Sequence, residues 1–356
     1  MTGPRITLGS RTLTRESPPY VIAEIGVNHE GSIDTAKLLI ELAKEGGADA
    51  AKFQTYKAET LASKHSPAYW DTTKEPTQSQ YELFQKYDAF GPREYEILAE
   101  HCARVGIDFA STPFDDAAVD FLAPLMSFFK VASADLTNTP LLRRVARTGK
   151  PVVLSTGAST MEEVDWAVRT LQEAGARDIA LLHCILNYPT SNENANLRML
   201  RDLERKFPRC LLGYSDHTVP TPRLNTLLAA WLSGAVILEK HFTHDKSLPG
   251  NDHYHAMDVN ELREFTQLVR EIAPLLGVTD RKEPLESEQI SRLNARRSIV
   301  VARDLPTGHV IAESDITYKR PGTGVSPMYW DDVVGLTTRH ALEADHVLQW
   351  DDVADR

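Results

Sequence analysis

Lys52, Lys130, Ser133, Ser155 and Ser215 are residue types that can act together on one ligand, and they come from four or five separate short runs of the chain. Ammonium and hydroxyl groups supply donors to the oxygens of a phosphate. The chain is otherwise acidic, with a formal net charge of -11, so a local excess of donors points to a phosphorylated ligand. The competing account pairs the two lysines with Glu24, Asp135 or Glu239 in a structural network. A second constellation consists of His217 and His241, which end consecutive runs. Their imidazoles can approach one ion, with carboxylate, water or substrate filling its other positions. Two imidazoles with otherwise oxygen donors suit manganese or magnesium better than structural zinc. The alternative is two hydrogen-bonded histidines. His253 and His255, in NDHYHAMD, form a second and weaker candidate for metal ligation, read in preference as substrate contacts or loop ordering.

The elements that must hold these groups are short β-rich runs alternating with amphipathic stretches. The runs are VIAEIG (21–26), AAKFQT (50–55), DFASTPF (108–114), FFKVAS (128–133), PVVLST (151–156), IALLHC (179–184), LLGYSD (211–216) and VILEKHF (236–242). Between the first two, Ser32 is placed to cap a helix with Ala36, Leu39, Ile40 and Ala43 on one face, ended by Gly46 and Gly47. Tyr95, Leu98, Ala99 and Cys102 repeat the spacing before Gly106, and Met161, Val164, Val168 and Leu171 before Gly175. Repeated βα units with buried strands predict a (β/α)8 TIM barrel, an open doubly wound sheet being the alternative. In such a barrel, polar residues at the C-terminal ends of strands face the active-site mouth. Here those ends carry Glu24; Lys52 and Gln54; Ser111 and Thr112; Lys130 and Ser133; Ser155 and Thr156; His183; Ser215, Asp216 and His217; and Glu239, Lys240 and His241. Burying so many polar groups costs ~1–3 kcal/mol for each one left unsatisfied, which favours a ligand site.

The chain's 356 residues fit one barrel of ~250 residues plus a smaller appendage. The expected organisation is a barrel over 1–276, a polar linker over 277–292 and a small β-rich domain over 293–356, with no internal repeat beyond the βα alternation. Apolar residues at 42% and charged residues at 25% exclude disorder as the dominant state. The acidic balance, with no basic stripe, argues against nucleic acid or an anionic membrane as partner. No apolar run approaches the ~20 residues of a membrane span. Cys102, Cys184 and Cys210 lack metal-site spacing, and reduced thiols in the cytoplasm are the expectation.

Taken in order, AEIGVNHEGS (23–32), AKFQTY (51–56), STPF (111–114), LSTGAS (154–159), NYPT (187–190), SDHT (215–218), EKHFT (239–243) and LPGNDH (248–253) resemble the sialic acid (N-acetylneuraminate) synthases through nearly the whole chain. The C-terminal part, with KRPGTG (319–324), is similar to the antifreeze-like, or SAF, β-clip domain that follows the barrel in those enzymes. The resemblance implies condensation of phosphoenolpyruvate with N-acetylmannosamine or a related hexosamine, and manganese or magnesium held by His217 and His241. It implies phosphoenolpyruvate contacts from Lys52, Thr112, Lys130, Ser133, Ser155 and Ser215, and sugar contacts from Gln54, Tyr188 and Asp252. It also implies a domain-swapped homodimer in which Arg320 reaches the sugar from the other subunit. Glu24 and Asp135 are expected as the acid/base pair, with Lys52 and Lys130 stabilising charge during the reaction. The sequence departs from the family at Asp135, where many members carry glutamate, and at Ile185 and Leu186, where some have asparagine after the cysteine of HC. It departs again in NDHYHAMD. These departures lie near the sugar or the acid/base pair and point to a different amino sugar, such as a diacetamido-trideoxyhexose. Two other readings are a metal-dependent barrel hydrolase and a phosphoenolpyruvate-dependent 2-keto-3-deoxy sugar acid synthase that uses another aldose.

Overall fold

The computed structural model describes residues 3–354 except 71, 74, 251, 278 and 280. Among the described residues, eight parallel strands form one sheet: β1 (Tyr20–Gly26), β2 (Ala50–Thr55), β3 (Asp108–Pro113), β4 (Phe129–Val131), β5 (Val152–Ser155), β6 (Ile179–Cys184), β7 (Leu211–Asp216) and β8 (Ala235–His241). The eight expected runs are these strands. β8 pairs with β1, and β3 lies beside β4, so the sheet curls into a barrel and the open-sheet alternative is excluded. Helices cover the outside: α1 (Ile33–Gly46) is capped by the Ser32 side chain and ended by left-handed Gly47, as its sequence predicts.

Side-chain parity separates two compartments. Val21, Ala23 and Ile25 of β1, with Ala51 and Phe53 of β2, join the layer facing the helices. Ile22, Ala50, Ala110, Phe128, Val153, Leu182 and Ile237 point inward and form a separate apolar plug. The hairpin Ile6–Leu8 and Arg11–Leu13 contributes Ile6, Leu8 and Leu13 to that plug, closing the barrel floor. Sequence periodicity did not announce this hairpin, because each strand is only three residues long.

The polar strand-end residues divide by the same parity. Ser111, His183, Asp216 and Lys240 are one residue out of phase with the inward set and are satisfied in the wall. His183 Nε2 is 2.8 Å from the Ala195 carbonyl, and Ser111 Oγ is 2.6 Å from Thr55 Oγ1. Lys240 Nζ donates to Asp216 Oδ2 at 2.7 Å and to the Thr218 carbonyl at 2.6 Å, with both charged side chains buried. Burial alone would raise the Asp216 pKa, but Lys240 and the Thr218 donors hold it below its ordinary value. Lys240→Met should therefore strand a buried carboxylate and cost ~3–5 kcal/mol. Urea unfolding checks this, and an unshifted midpoint would refute it.

The chain divides into two compact units, Met1–Val278 and Thr279–Arg356. The expected linker, 277–292, contains a 3-10 turn, Glu286–Glu288, and the start of a short helix, Gln289–Ala295; its residues 278 and 280 lie outside the described residues. The second unit has small antiparallel pairs around an apolar core that includes Ile299, Leu305, Ile311, Leu342 and Leu348. It also corrects the expectation of no internal repeat. Leu305, His309, Ile311 and Asp315 recur at one constant offset as Leu342, His346, Leu348 and Asp352. Gly308 (φ 75°) and Asp345 (φ 74°) occupy the matching left-handed position. In one half His309 Nε2 lies 2.7 Å from Asp315 Oδ2, and in the other His346 Nε2 lies 2.8 Å from Asp352 Oδ2. Substitution at most other positions hides this repeat from a reading by residue type.

Candidate active site

Along the inward face, apolar residues give way to polar ones at nearly one level around the barrel. Glu24 stands above Ile22, Lys52 above Ala50, Thr112 above Ala110, Lys130 above Phe128, Ser155 above Val153, Cys184 above Leu182 and Glu239 above Ile237. Gln54 and His241 occupy the next inward positions on their strands, and Ser215 is the inward residue near the end of β7. These groups line a cavity of about 410 Å³.

Glu239 is the hub of its floor. One oxygen lies 3.6 Å from both Lys52 Nζ and Lys130 Nζ and accepts from Ser215 Oγ at 3.3 Å. Lys52 Nζ is also 2.6 Å from Glu24 Oε2 and donates to Thr112 Oγ1 at 3.1 Å. Gln54 Nε2 donates to Glu24 Oε1 at 2.9 Å. Burial pushes the Glu24 pKa up to about 7 against the pull of Lys52. Burial works against the Lys52 ammonium, yet Glu239 and Glu24 hold its pKa above the ordinary value. Lys130 is moved the other way by burial, despite Glu239. Ser155 Oγ and Glu239 Oε2 are buried without a hydrogen-bond partner among the described residues, so the floor keeps capacity for a ligand.

After β4, Ser133 Oγ accepts from the Gly157 N–H at 2.8 Å. A Cβ at Gly157 would come within 2.9 Å of that hydroxyl and 3.1 Å of Cys184 Sγ, so any side chain there would displace them. Asp135, half-buried in the cavity wall, accepts from Asn138 Nδ2 at 3.0 Å, and burial raises its pKa. Tyr188 lies against the His217 ring, with centroids 4.1 Å apart. His217 Nδ1 lies 2.8 Å from the Ile185 carbonyl, so the departure at Ile185 leaves its backbone engaged with the histidine.

The His217 and His241 rings are 5.6 Å apart, centroid to centroid. Asp252, expected beside the sugar, places Oδ2 3.6 Å from His241 Nδ1. Ligand atoms of His241, Asp252 and His255 lie within 4.8 Å of one another. Burial keeps the His241 imidazole neutral by lowering its pKa well below the ordinary value, and its buried Nδ1 has no hydrogen-bond partner among the described residues. Neutral imidazoles beside a carboxylate fit a divalent ion. Of the remaining histidines, His253 is taken up by Thr243 Oγ1 at 2.8 Å.

The mouth is apolar. Tyr56, Tyr69, Trp70, Phe84, Tyr87 and Phe114 line it, mostly from the segment between β2 and β3 that includes the helix α2 (Gln80–Tyr87). That wall was not anticipated, although the aromatic residues clustered over 69–70 and 84–87 were its available signal. Cys184 was likewise missed as a member of the site, whereas Glu239 lies where the sequence places it, at a strand end and against the two lysines. Arg320 lies exposed in the second unit, after the strand Ile316–Lys319.

The model of the NeuB family matches residues 39–281, and that of the SAF domain matches residues 296–354. The chain is 38% identical to the N,N'-diacetyllegionaminic acid synthase of Legionella pneumophila, over 94% of each chain. It is 35% identical to the enzyme of the same name from Campylobacter jejuni, over 92% of this chain and 98% of that one. Among solved structures, an N-acetylneuraminic acid synthetase from Leptospira borgpetersenii, in complex with citrate, aligns with a TM-score of 0.71 at 31% identity, covering 81% of this chain and 95% of that one.

Proposed function

The chain belongs to the NeuB family, and on that premise we propose that it condenses phosphoenolpyruvate with the open-chain aldehyde of an N-acetylated amino sugar, yielding a nonulosonic (sialic-type) acid and inorganic phosphate. The observation that carries this reading is the polar floor: two buried lysines bridged by one carboxylate, with serine and threonine hydroxyls, above an apolar plug. Lys52, Lys130, Ser133, Ser155 and Ser215 hold the phosphate and carboxylate of phosphoenolpyruvate, with Thr112 beside Lys52. C3 of phosphoenolpyruvate forms the new bond to the aldehyde carbon, whose oxygen takes up a proton. Water then adds at C2 and loses one proton, and phosphate departs with the electron pair of its C2–O bond as the new C2 hydroxyl loses its proton to become the ketone. Glu24, held by Lys52 and Gln54 and poised near neutrality, receives the proton from that water, and Asp135 is the second carboxylate of the pair. Gln54, Tyr188 and Asp252 face the sugar.

His217 and His241 would hold manganese or magnesium, with Asp252 near, and such an ion would polarise the aldehyde carbonyl as a Lewis acid. A cytoplasmic homodimer, with Arg320 contributed across it to the sugar, belongs to the same reading. Its support is the exposed apolar side chains Leu285, Ile290 and Leu293 of the connecting segment.

For the acceptor we propose an uncharged diacetamido-trideoxyhexose. Among the described lining residues Lys52 and Lys130 are the only Lys or Arg, and both lie on the floor. An aromatic mouth suits acetamido and C6 methyl groups, and apart from an Arg320 contributed across the dimer the described lining offers no cation to a sugar phosphate. A panel of hexosamines with phosphoenolpyruvate and manganese, read by inorganic phosphate and product mass, should give highest kcat/KM for the diacetamido sugar. Preference for a 6-phosphorylated hexosamine would refute this choice. Phosphate release without any sugar would refute the condensation itself.

A further inference from the structure

We propose that His255 is a direct ligand of the divalent ion held at His241, together with Asp252. The inference deepens the reading above and rests on it for the ion's use. His255 has no exposed surface, and neither ring nitrogen has a hydrogen-bond partner among the described residues. Leaving a buried polar group unsatisfied costs ~1–3 kcal/mol, so a ring placed this way calls for an occupant. Four other buried histidines of the barrel, His29, His183, His217 and His253, each engage a partner, at 3.1, 2.8, 2.8 and 2.8 Å, whereas Nδ1 of His241 shares the unsatisfied state of its neighbour His255. His255 instead faces His241, ring centroids 4.8 Å apart, and its ligand atom lies within 4.8 Å of those of His241 and Asp252. The Tyr188 and Tyr254 rings pack edge-on against it, at 6.0 and 5.2 Å, which fixes its orientation.

With His255 added to His217 and His241, three imidazoles and a carboxylate form a donor set that favours manganese, iron, cobalt or zinc over magnesium, because nitrogen donors suit the transition ions and magnesium prefers oxygen. The loop after β8 thus changes which metal the site selects, through one residue in the segment NDHYHAMD.

The test uses the full-length protein, stripped with chelator and titrated with Mn2+ alone by calorimetry, without substrates. His255→Leu, which keeps bulk but removes both nitrogens, should weaken Mn2+ binding by at least about 10-fold. His255→Asn provides a second, polar variant should leucine disturb the loop, and near-ultraviolet circular dichroism verifies the fold of each. Electron spin-echo spectroscopy of the Mn2+-loaded proteins should show one fewer directly bound nitrogen in the variants than in the wild type. Unchanged Mn2+ affinity and nitrogen couplings, with a raised KM for the sugar, would overturn the proposal and make His255 a sugar contact. Failure of the synthase reading shows separately, as no phosphate release by wild type, and leaves the Mn2+ titration standing.

Discussion

Glu24→Gln should lower kcat for phosphate release by ~100-fold or more while leaving the barrel folded. The substitution keeps the shape of the side chain and its contact with Gln54, but it removes the group that can accept a proton. The geometry makes the loss specific: Glu24 is fixed from both sides, by Lys52 at one oxygen and Gln54 at the other. The accompanying pH dependence has a definite sign. A base with a pKa of about 7 is active when ionised, so wild-type kcat/KM should fall as pH drops through that value. In Glu24→Gln this limb should disappear. Retention of most activity, or an unchanged acid limb, would remove Glu24 from the chemistry and leave Asp135 as the first alternative.

Removal of divalent metal should have an effect of similar size. Treatment with chelator is expected to lower turnover by ~100-fold or more, with recovery on adding back Mn2+, because charge development at the aldehyde oxygen would lose several kcal/mol of stabilisation. His241→Ala should reproduce the loss and resist rescue by added metal. The fold should persist in both cases, since the barrel's two apolar clusters are built from other residues and involve neither ion nor imidazole. Full activity after exhaustive chelation would rule out a metal role and would leave the buried nitrogens of His241 and His255 to another ligand.

The barrel was legible because its strands fall within apolar runs of similar length, and several of these are followed by a helix with clear start and stop signals. Ser32 and Gly47 around α1 are examples. The polar floor was legible for a related reason: lysine is rarely buried inside a β-run unless it is paired. Polar type alone, however, did not distinguish Glu239 from Lys240, one of which faces the cavity and the other the wall. Period-two parity makes that distinction, and counting from Ile237 would have assigned both. His255 was harder, because it lies on a loop where no period applies and its neighbours His241 and Asp252 come from β8 and from the same loop. The floor hairpin and the repeat in the second unit escaped because one is too short and the other too diverged in sequence.

The plug beneath the lysines also governs traffic. Among the described residues the hairpin closes the far end and aromatic side chains line the mouth, so on the proposed reading phosphoenolpyruvate would lie under the sugar. Loading would then be single file: the smaller, charged substrate would seat itself before the larger one covers it, and the nonulosonate would clear the opening before the spent phosphate.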